Sequence, residues 1–362
     1  MAVPQPRGPR LREHGLRIGR FEPGGANSIT DVEGVTVGHV TVWRDEPEPP
    51  KGRGVARTGV TVVAPAPPET LFAAPVPAGA AVLNGAGELT GFLTVSEWGL
   101  LETPVYLTST HAVGRVFDGA VSAALAADSA VGVEGVVIPA VAECDDSWLS
   151  EARVVQVEAR DAEQALASAS GGPVAEGAVG AGTGMITKGF KAGVGTSSRV
   201  VPSVEVTVGV IVLANFDAPP PLVVDGVSVG RLLGQTSEGR RAGSCIVLLA
   251  VDAPLSADQL SRLARRAGLG LARTGSVGHH GSGEIFLAFA PGARRPRAEA
   301  PAATVAHSSL DDIFEAAVDA TEEAVLNALW AAPEVSGRDG RVAPALPHDS
   351  VLALLEEHGR LG

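Results

Sequence analysis

The chain of 362 residues is long enough for one large domain or two, and with 45% apolar and 19% charged residues it can build a substantial core. The formal charge of −13 argues against a nucleic-acid partner, which would require basic surfaces to replace counterions. The two cysteines form neither a disulfide framework nor a metal site, and no apolar stretch reaches the roughly 18 residues of a membrane span. The sequence therefore predicts no metal, no membrane partner and a cytoplasmic location.

The first half of the chain predicts short strands and helices in alternation. The Pro-, Gly- and Arg-rich first 25 residues predict an arm. Apolar alternation predicts strands, while apolar residues spaced by three and four predict helices. In chain order, the predictions are strands over 35–43 and 59–64, a Pro-rich connection over 65–77, a helix over 113–127, strands over 132–139 and 152–158, and a helix over 161–169.

The second half continues in the same way after a glycine-rich stretch over 177–195. Strands are predicted over 204–215 and 243–251, separated by a Pro-containing surface loop over 216–242. A helix capped by Ser256 should run to about residue 267, where Gly268 ends it. A strand over 284–290, a basic loop over 291–303 and an amphipathic helix over 310–330 follow. Alternating blocks of strands and helices indicate a layered α/β or α+β architecture.

The dipeptide Gly243-Ser244 stands at the head of an apolar strand. Glycine permits unusual dihedrals that strain an amide, and a neighbouring hydroxyl is able to attack that carbonyl. Cleavage would leave Ser244 as an N-terminus that carries both a nucleophile and an amine, whose ordinary pKa of roughly 7.7–8.0 suits a general base. In isolation, an ordinary strand entry explains the same dipeptide.

Three further groups of residues have both a chemical and an ordinary interpretation. Ser282 and Glu284, in the run Gly281-Ser-Gly-Glu, either support the freed amine or form a polar strand entry. Asn215, which ends an apolar strand, either stabilises an oxyanion or caps a turn. The acidic run that includes Glu143 and Asp145 either binds an ammonium group or forms a solvated loop.

Taken together, these blocks resemble the self-processing DmpA-type L-aminopeptidase/D-amidase/D-esterase and β-aminopeptidase family, over residues 29 to about 355. Many blocks in one order make the resemblance specific. The blocks are Ile-Thr-Asp-Val-Glu-Gly-Val-Thr-Val-Gly-His at 29–39, Leu-Asn-Gly-Ala-Gly-Glu-Leu-Thr-Gly at 83–91, Ser-Thr-His-Ala-Val-Gly at 109–114, the glycine-rich 182–185, 189–191 and 193–199, Gly-Ser-Gly-Glu-Ile-Phe at 281–286, and Glu-Ala-Val-Leu-Asn-Ala-Leu at 323–329.

The resemblance implies a four-layer αββα sandwich, like that of N-terminal-nucleophile hydrolases but with different connectivity, in one domain over 1–362. It implies an inactive precursor cut between Gly243 and Ser244 into an α chain of 1–243 and a β chain of 244–362. Ser244 then becomes the nucleophile. The implied enzyme needs no cofactor or metal, acts on small peptides or aminoacyl amides and esters, and assembles as a homo-oligomer, commonly a tetramer.

The remaining site residues follow from the same resemblance. It places Ser282 and Glu284 beside the nucleophile, assigns Asn215 to the oxyanion, and assigns Glu143 to the substrate's amino group. The family usually has Tyr or Trp two residues after that glutamate, whereas this chain has Asp145. The extra carboxylate predicts a stronger attraction for a cationic amine, or exclusion of acidic side chains.

Two other functions are alternatives. One is hydrolysis of ω-amino amides, as in nylon-oligomer hydrolases, which carry Thr as the nucleophile; Ser244 disfavours this. The other is a catalytically impaired binding or assembly homologue, which only Asp145 favours.

Overall fold

The structure is a computed structural model that describes residues 5–216, 221–235, 242–299 and 302–361. Within these ranges the strands are β1 (Thr36–Asp45), β2 (Val55–Ala64), β3 (Val76–Gly85), β4 (Leu100–Leu101), β5 (Val105–Ser109), β6 (Ala140–Cys144), β7 (Ile186–Thr187), β8 (Phe190–Lys191), β9 (Val194–Val201), β10 (Val206–Asn215), β11 (Ala242–Val251), β12 (Gly281–Phe289), β13 (Val335–Ser336) and β14 (Val342–Ala343).

The α-helices in the same ranges are α1 (Pro68–Leu71), α2 (Phe92–Trp98), α3 (Val113–Ala127), α4 (Ala159–Ala167), α5 (Val229–Leu232), α6 (Ala257–Arg273), α7 (Leu310–Ala331) and α8 (His348–Glu357). Among the described residues, no helix combines the length and the apolar character needed to cross a bilayer.

Two sheets form the centre of the molecule. The four-stranded sheet has the order β1-β2-β5-β6, and the six-stranded sheet has the order β4-β3-β12-β11-β10-β9. Two pairs are parallel, β5 with β6 and β11 with β12, and each pair is connected through a helix, α3 or α6. The larger sheet thus interleaves strands from both sides of the bond between residues 243 and 244.

Alternating side chains of each strand bury two different cores. On β11, Ile246 and Leu248 face the core between the two sheets, while Val247 and Leu249 pack with α6 and α7. A third core lies under α3 and α4 on the outer face of the smaller sheet. The layer order is therefore helices, sheet, sheet, helices, and the predicted four-layer αββα sandwich is confirmed.

Several element predictions match the structure. Ser256 caps α6 and accepts a hydrogen bond from the amide of Gln259 at 3.2 Å, as its position predicts. That helix continues to Arg273, beyond the predicted stop at Gly268, because Gly268 lies within a helix already held by its buried face. The strands at 35–43, 59–64, 204–215, 243–251 and 284–290 and the helices at 113–127, 161–169 and 310–330 are found with shifts of a few residues or an extension of their ends.

Other predictions were wrong. The segments 132–139 and 152–158 are turns and irregular chain, and the strand of this region is β6. The predicted N-terminal arm packs on the protein: Leu11 and Ile18 join the core beside α7, and Arg12 pairs with Glu323 at 3.0 Å. The connection predicted at 65–77 includes α1 and the start of β3.

The loop predicted over 216–242 is also more buried than expected. Phe216, Leu222, Val224 and Val229 are buried in the core beside α7. The parts of this segment at 217–220 and 236–241 lie outside the described residues.

Candidate active site

Ser244 lies near the start of β11, in the middle of the larger sheet. It pairs with Asn215 on antiparallel β10 and with Gly283 on parallel β12, and it is 3% exposed. Its neighbour Ile246 faces the core between the sheets, so the pleat directs the Ser244 side chain to that face. The nucleophile predicted from sequence is thus held by a strand that is paired on both sides.

Gly243 is needed here for close packing. A Cβ atom at this position would lie 2.2 Å from the carbonyl oxygen of Asn215 and 2.8 Å from the Cα atom of Phe216. Its φ does not fall in the left-handed region, which corrects the expectation that Gly243 adopts dihedrals forbidden to other residues. The glycine allows β10 to approach the bond before Ser244.

Gly283 has a matching role on the other side of Ser244. A Cβ atom there would lie 2.5 Å from the carbonyl oxygen of Ala86 and 3.2 Å from the Cα atom of Gly87. The loop after β3 is therefore able to lie directly over β12, next to the nucleophile. This explains why small residues surround Ser282 in the sequence.

Asn215 is fixed by two hydrogen bonds. Its Oδ1 accepts from the amide of Ile186 at 3.0 Å, and its Nδ2 donates to the carbonyl oxygen of Asp145 at 2.8 Å. Because a side-chain amide carries two N–H donors, one of them remains for a further acceptor. The side chain is 6% exposed, so that donor lies in a largely dehydrated setting.

Glu143 reaches the site from β6 of the other sheet. One carboxylate oxygen accepts from the amide of Glu88 at 3.0 Å, and the other accepts from the hydroxyl of Thr110. Burial raises the pKa of Glu143, against the effect of these two hydrogen bonds. A carboxylate oriented by two donors and shielded from water is suited to hold an ammonium group.

Ser282 and Glu284 form a buried pair on β12. The Ser282 hydroxyl donates to the Glu284 carboxylate, and both residues are 0% exposed. Ser282 pairs with Gly243, so this pair lies beside the bond that precedes Ser244. Phe286 on the same strand face packs with the helices, which places the pair on the face opposite the Ser244 side chain.

A cavity of about 700 Å³ joins most of these residues. Gly243, Ser244, Glu143 and Asp145 all line it, although they come from different strands and loops. Asn215 and Ser282 pair with Ser244 and Gly243 in the sheet, but neither they nor Glu284 are among the lining residues of the cavity. The volume is typical of pockets for small ligands.

Sequence reasoning assigned no role to several residues of this site. Thr110 lies in one of the recognised sequence blocks, but only the fold reveals that it binds Glu143. Asn84 donates from Nδ2 to the carbonyl oxygens of His279 and His280, each at 3.0 Å, and to that of Ser282, and so ties β3 to the turn before β12.

Asp146 and Lys191 form a second buried polar group next to the cavity. Burial raises the pKa of Asp146 to about 7, and its Oδ2 makes no hydrogen bond among the described residues. Lys191 donates to three backbone carbonyls, those of Gly182, Met185 and Ala192, at 2.6–2.9 Å. Only the fold shows that these two residues, 45 positions apart in the sequence, lie close enough for their charges to interact.

Comparison with known proteins identifies relatives over nearly the whole chain. Residues 27–343 match peptidase family S58. The beta-peptidyl aminopeptidase BapA of Sphingosinicella microcystinivorans is 40% identical over 376 aligned residues, which cover 98% of this chain and 93% of that protein.

Two solved structures have the same fold. A beta-aminopeptidase from Burkholderia sp. is 40% identical with a TM-score of 0.88, and the match covers 97% of this chain and 99% of that one. The L-aminopeptidase D-Ala-esterase/amidase of Ochrobactrum anthropi, described as a variant of the Ntn hydrolase fold, is 37% identical with a TM-score of 0.89 over 98% of this chain and all of that one. The chain therefore belongs to peptidase family S58 and is a serine aminopeptidase or amidase.

Proposed function

We propose that this enzyme cuts its own chain between Gly243 and Ser244 and then uses the new N-terminal serine to remove N-terminal residues from peptides, amides or esters. The observation that carries the proposal is that Ser244 and Glu143 line one cavity, with Asn215 paired directly to Ser244. The cut would divide the single domain into chains of 1–243 and 244–362.

In the first stage, the Ser244 hydroxyl attacks the Gly243 carbonyl carbon, and the peptide nitrogen leaves with a proton. The acyl group thereby moves from nitrogen to oxygen, and water hydrolyses the resulting ester. This step releases the carboxylate of Gly243 and frees both the hydroxyl and the α-amine of Ser244. Close packing of Gly243 against Asn215 and Phe216 supports the proposal, because it holds this carbonyl in a fixed place.

In the second stage, the Ser244 hydroxyl attacks the substrate carbonyl while its own α-amine accepts the proton and later donates it to the leaving group. The remaining N–H of Asn215 Nδ2 stabilises the oxyanion, a role worth roughly 2.7–4 kcal/mol in comparable sites. Ser282 and Glu284 hold the α-amine from the neighbouring strand.

Glu143 binds the ammonium group of the substrate and restricts cleavage to the first residue of a peptide. The adjacent Asp145 adds negative charge to the same cavity and favours substrates without acidic side chains. Names of the relatives suggest that the residues released include β-amino acids and D-alanine derivatives. A panel of L-, D- and β-aminoacyl amides identifies which of these the enzyme prefers.

The experiment for the first stage is a denaturing gel with N-terminal sequencing of the smaller band. Active enzyme should give two bands, the smaller one beginning at Ser244, while Ser244→Ala should remain a single inactive chain of 36.6 kDa. Active wild-type enzyme that runs as one uncut chain would overturn the proposal.

We further propose that the processed protomers assemble into a homo-oligomer. Leu93 and Trp98 on α2 are 77% and 68% exposed, and Val133 and Val136 are 83% and 78% exposed. Large apolar side chains at such exposure support a buried contact with another copy of the chain.

A further inference from the structure

A single arginine lines the active-site cavity among the described residues. Arg338 follows β13, and its backbone amide donates to the carbonyl oxygen of Leu149 at 2.9 Å. Gly337 makes the approach possible, since a Cβ atom there would lie 2.5 Å from that same oxygen. The backbone of Arg338 is therefore fixed to the cavity wall.

The other charged residues described in this lining are carboxylates. They are Glu88, Glu143, Asp145, Asp146 and Glu151. Among the described lining residues, Arg338 is thus the one permanently charged cation, in a cavity whose other charged side chains attract cations.

The guanidinium of Arg338 is incompletely used by its neighbours. Glu151 is bound by Arg153 through contacts of 2.8 and 2.5 Å, and these hydrogen bonds lower the pKa of Glu151 to about 2. Arg338 approaches that carboxylate only at 3.7 Å. Its Nε lies 3.4 Å from Asp339, which also pairs with Arg341 at 3.2 Å.

The Nε atom itself is buried and makes no hydrogen bond among the described residues. Asp339 and Glu151 thus leave hydrogen bonds of the guanidinium unmade, and the Arg338 side chain, which lines the cavity, is 25% exposed, so an anion that enters the cavity is able to accept them. A guanidinium binds a carboxylate through two parallel hydrogen bonds.

We propose that Arg338 binds the free carboxylate of the leaving residue, so that the preferred substrates are dipeptides with a free C-terminus. This inference rests on the proposed function. A dipeptide carries an ammonium group at one end, for Glu143, and a carboxylate at the other, for Arg338, with the scissile carbonyl between them. One cavity of about 700 Å³ contains both residues and Ser244.

The test compares a dipeptide with the same dipeptide as its C-terminal amide, in wild-type, Arg338→Gln and Arg338→Lys enzymes. The glutamine variant should reduce kcat/KM for the dipeptide about 10- to 100-fold more than for the amide, mainly through KM, because a charged hydrogen bond is lost. Lysine should restore part of the difference. Arg360→Gln is the matched control, because Arg360 pairs with Asp225 at 3.6 Å, is absent from the cavity lining and should leave both substrates unaffected.

An equal loss on both substrates would show that Arg338 only supports the wall, and would overturn the inference. No loss on either would do the same. If wild-type enzyme cleaves neither substrate, the proposed function fails instead, so the two failures are distinct.

Discussion

At the scale of single residues, the role proposed for Glu143 predicts that the enzyme requires a free amino group. Glu143→Gln keeps the shape but removes the charge, so kcat/KM for aminoacyl amides should fall about 10- to 100-fold, mainly through KM. Protonation of Glu143 should weaken binding, so the wild-type KM should rise as the pH falls. Because burial raises the pKa of Glu143, this rise should begin at a pH above the usual pKa range of a glutamate. The KM of the variant should not show this rise at low pH.

Kinetics over pH with one aminoacyl amide measure both effects. Glu97→Gln removes an exposed charge from α2 and should leave KM unchanged. An unchanged KM in the Glu143 variant would remove this residue from substrate binding.

Asp146 makes stability depend on pH. Its pKa is raised from 3.8 to about 7, so the folded protein holds this proton more tightly than the unfolded chain. The stabilisation is fully present below pH 3.8 and is lost as the pH rises through about 7. The amide of Asp146→Asn does not ionise. The free energy of unfolding of this variant, relative to that of the parent, should therefore increase by on the order of 2 kcal/mol from pH 5 to pH 8.5.

Chemical denaturation at the two pH values measures this difference, in uncut Ser244→Ala protein so that one chain unfolds. Parallel pH dependence of the two proteins would show that Asp146 ionises normally in the fold.

At the scale of elements, Gly243 determines how closely β10 and β11 approach. Gly243→Ala places a methyl group 2.2 Å from a backbone oxygen, so the strands must separate at the site. We expect a loss of self-cleavage and a lower melting temperature. Gly114→Ala on α3 is the matched control, because nothing lies within 4 Å of its added methyl group and alanine favours helices. Normal cleavage and melting of the Gly243 variant would refute the packing argument.

Local chemistry explains which elements could be predicted. Ser256 and the apolar spacing of α6 predicted the start of that helix correctly, and the apolar runs of β10 and β11 predicted two strands correctly. β3 was missed because its run of small residues, Ala-Gly-Ala-Ala, shows no alternation, although its position between α6 and the other sheet is buried. The strand predicted at 132–139 was misplaced because Val133 and Val136 are exposed and the segment is a turn followed by irregular chain.

The residues of the candidate site also fall into those that the sequence predicted and those that only the fold reveals. Ser244, Asn215 and Glu143 were predicted by resemblance, and the fold places them together. Thr110 and Arg338 were not, because Thr110 binds a residue 33 positions away and Arg338 lines the cavity together with Ser244, which is 94 positions away in the sequence. Such contacts leave no trace in local spacing.

At the scale of the whole molecule, the larger sheet mixes strands from both sides of residue 243. β11 and β12 lie between β3 and β10, and α6 and α7, which follow residue 243, pack on β3, β9 and β10, which precede it. Cleavage at the proposed bond would leave two polypeptides that share the larger sheet and the core between it and α6 and α7. The smaller sheet with α3 and α4 belongs to the first segment and α6 and α7 belong to the second, but neither segment has a complete larger sheet without the other.

The interleaved sheet therefore changes the kinetic order of folding. Uncut Ser244→Ala protein should refold from denaturant in a first-order reaction that is independent of concentration. Enzyme cut at the proposed bond must bring two separate chains together, so its refolding should be second order and should slow on dilution, because the two chains meet less often. Recovery of native signal against protein concentration measures the difference. After self-cleavage, a molecule that unfolds in dilute solution would regain its structure only slowly, so the lifetime of the active enzyme would depend on how slowly it unfolds.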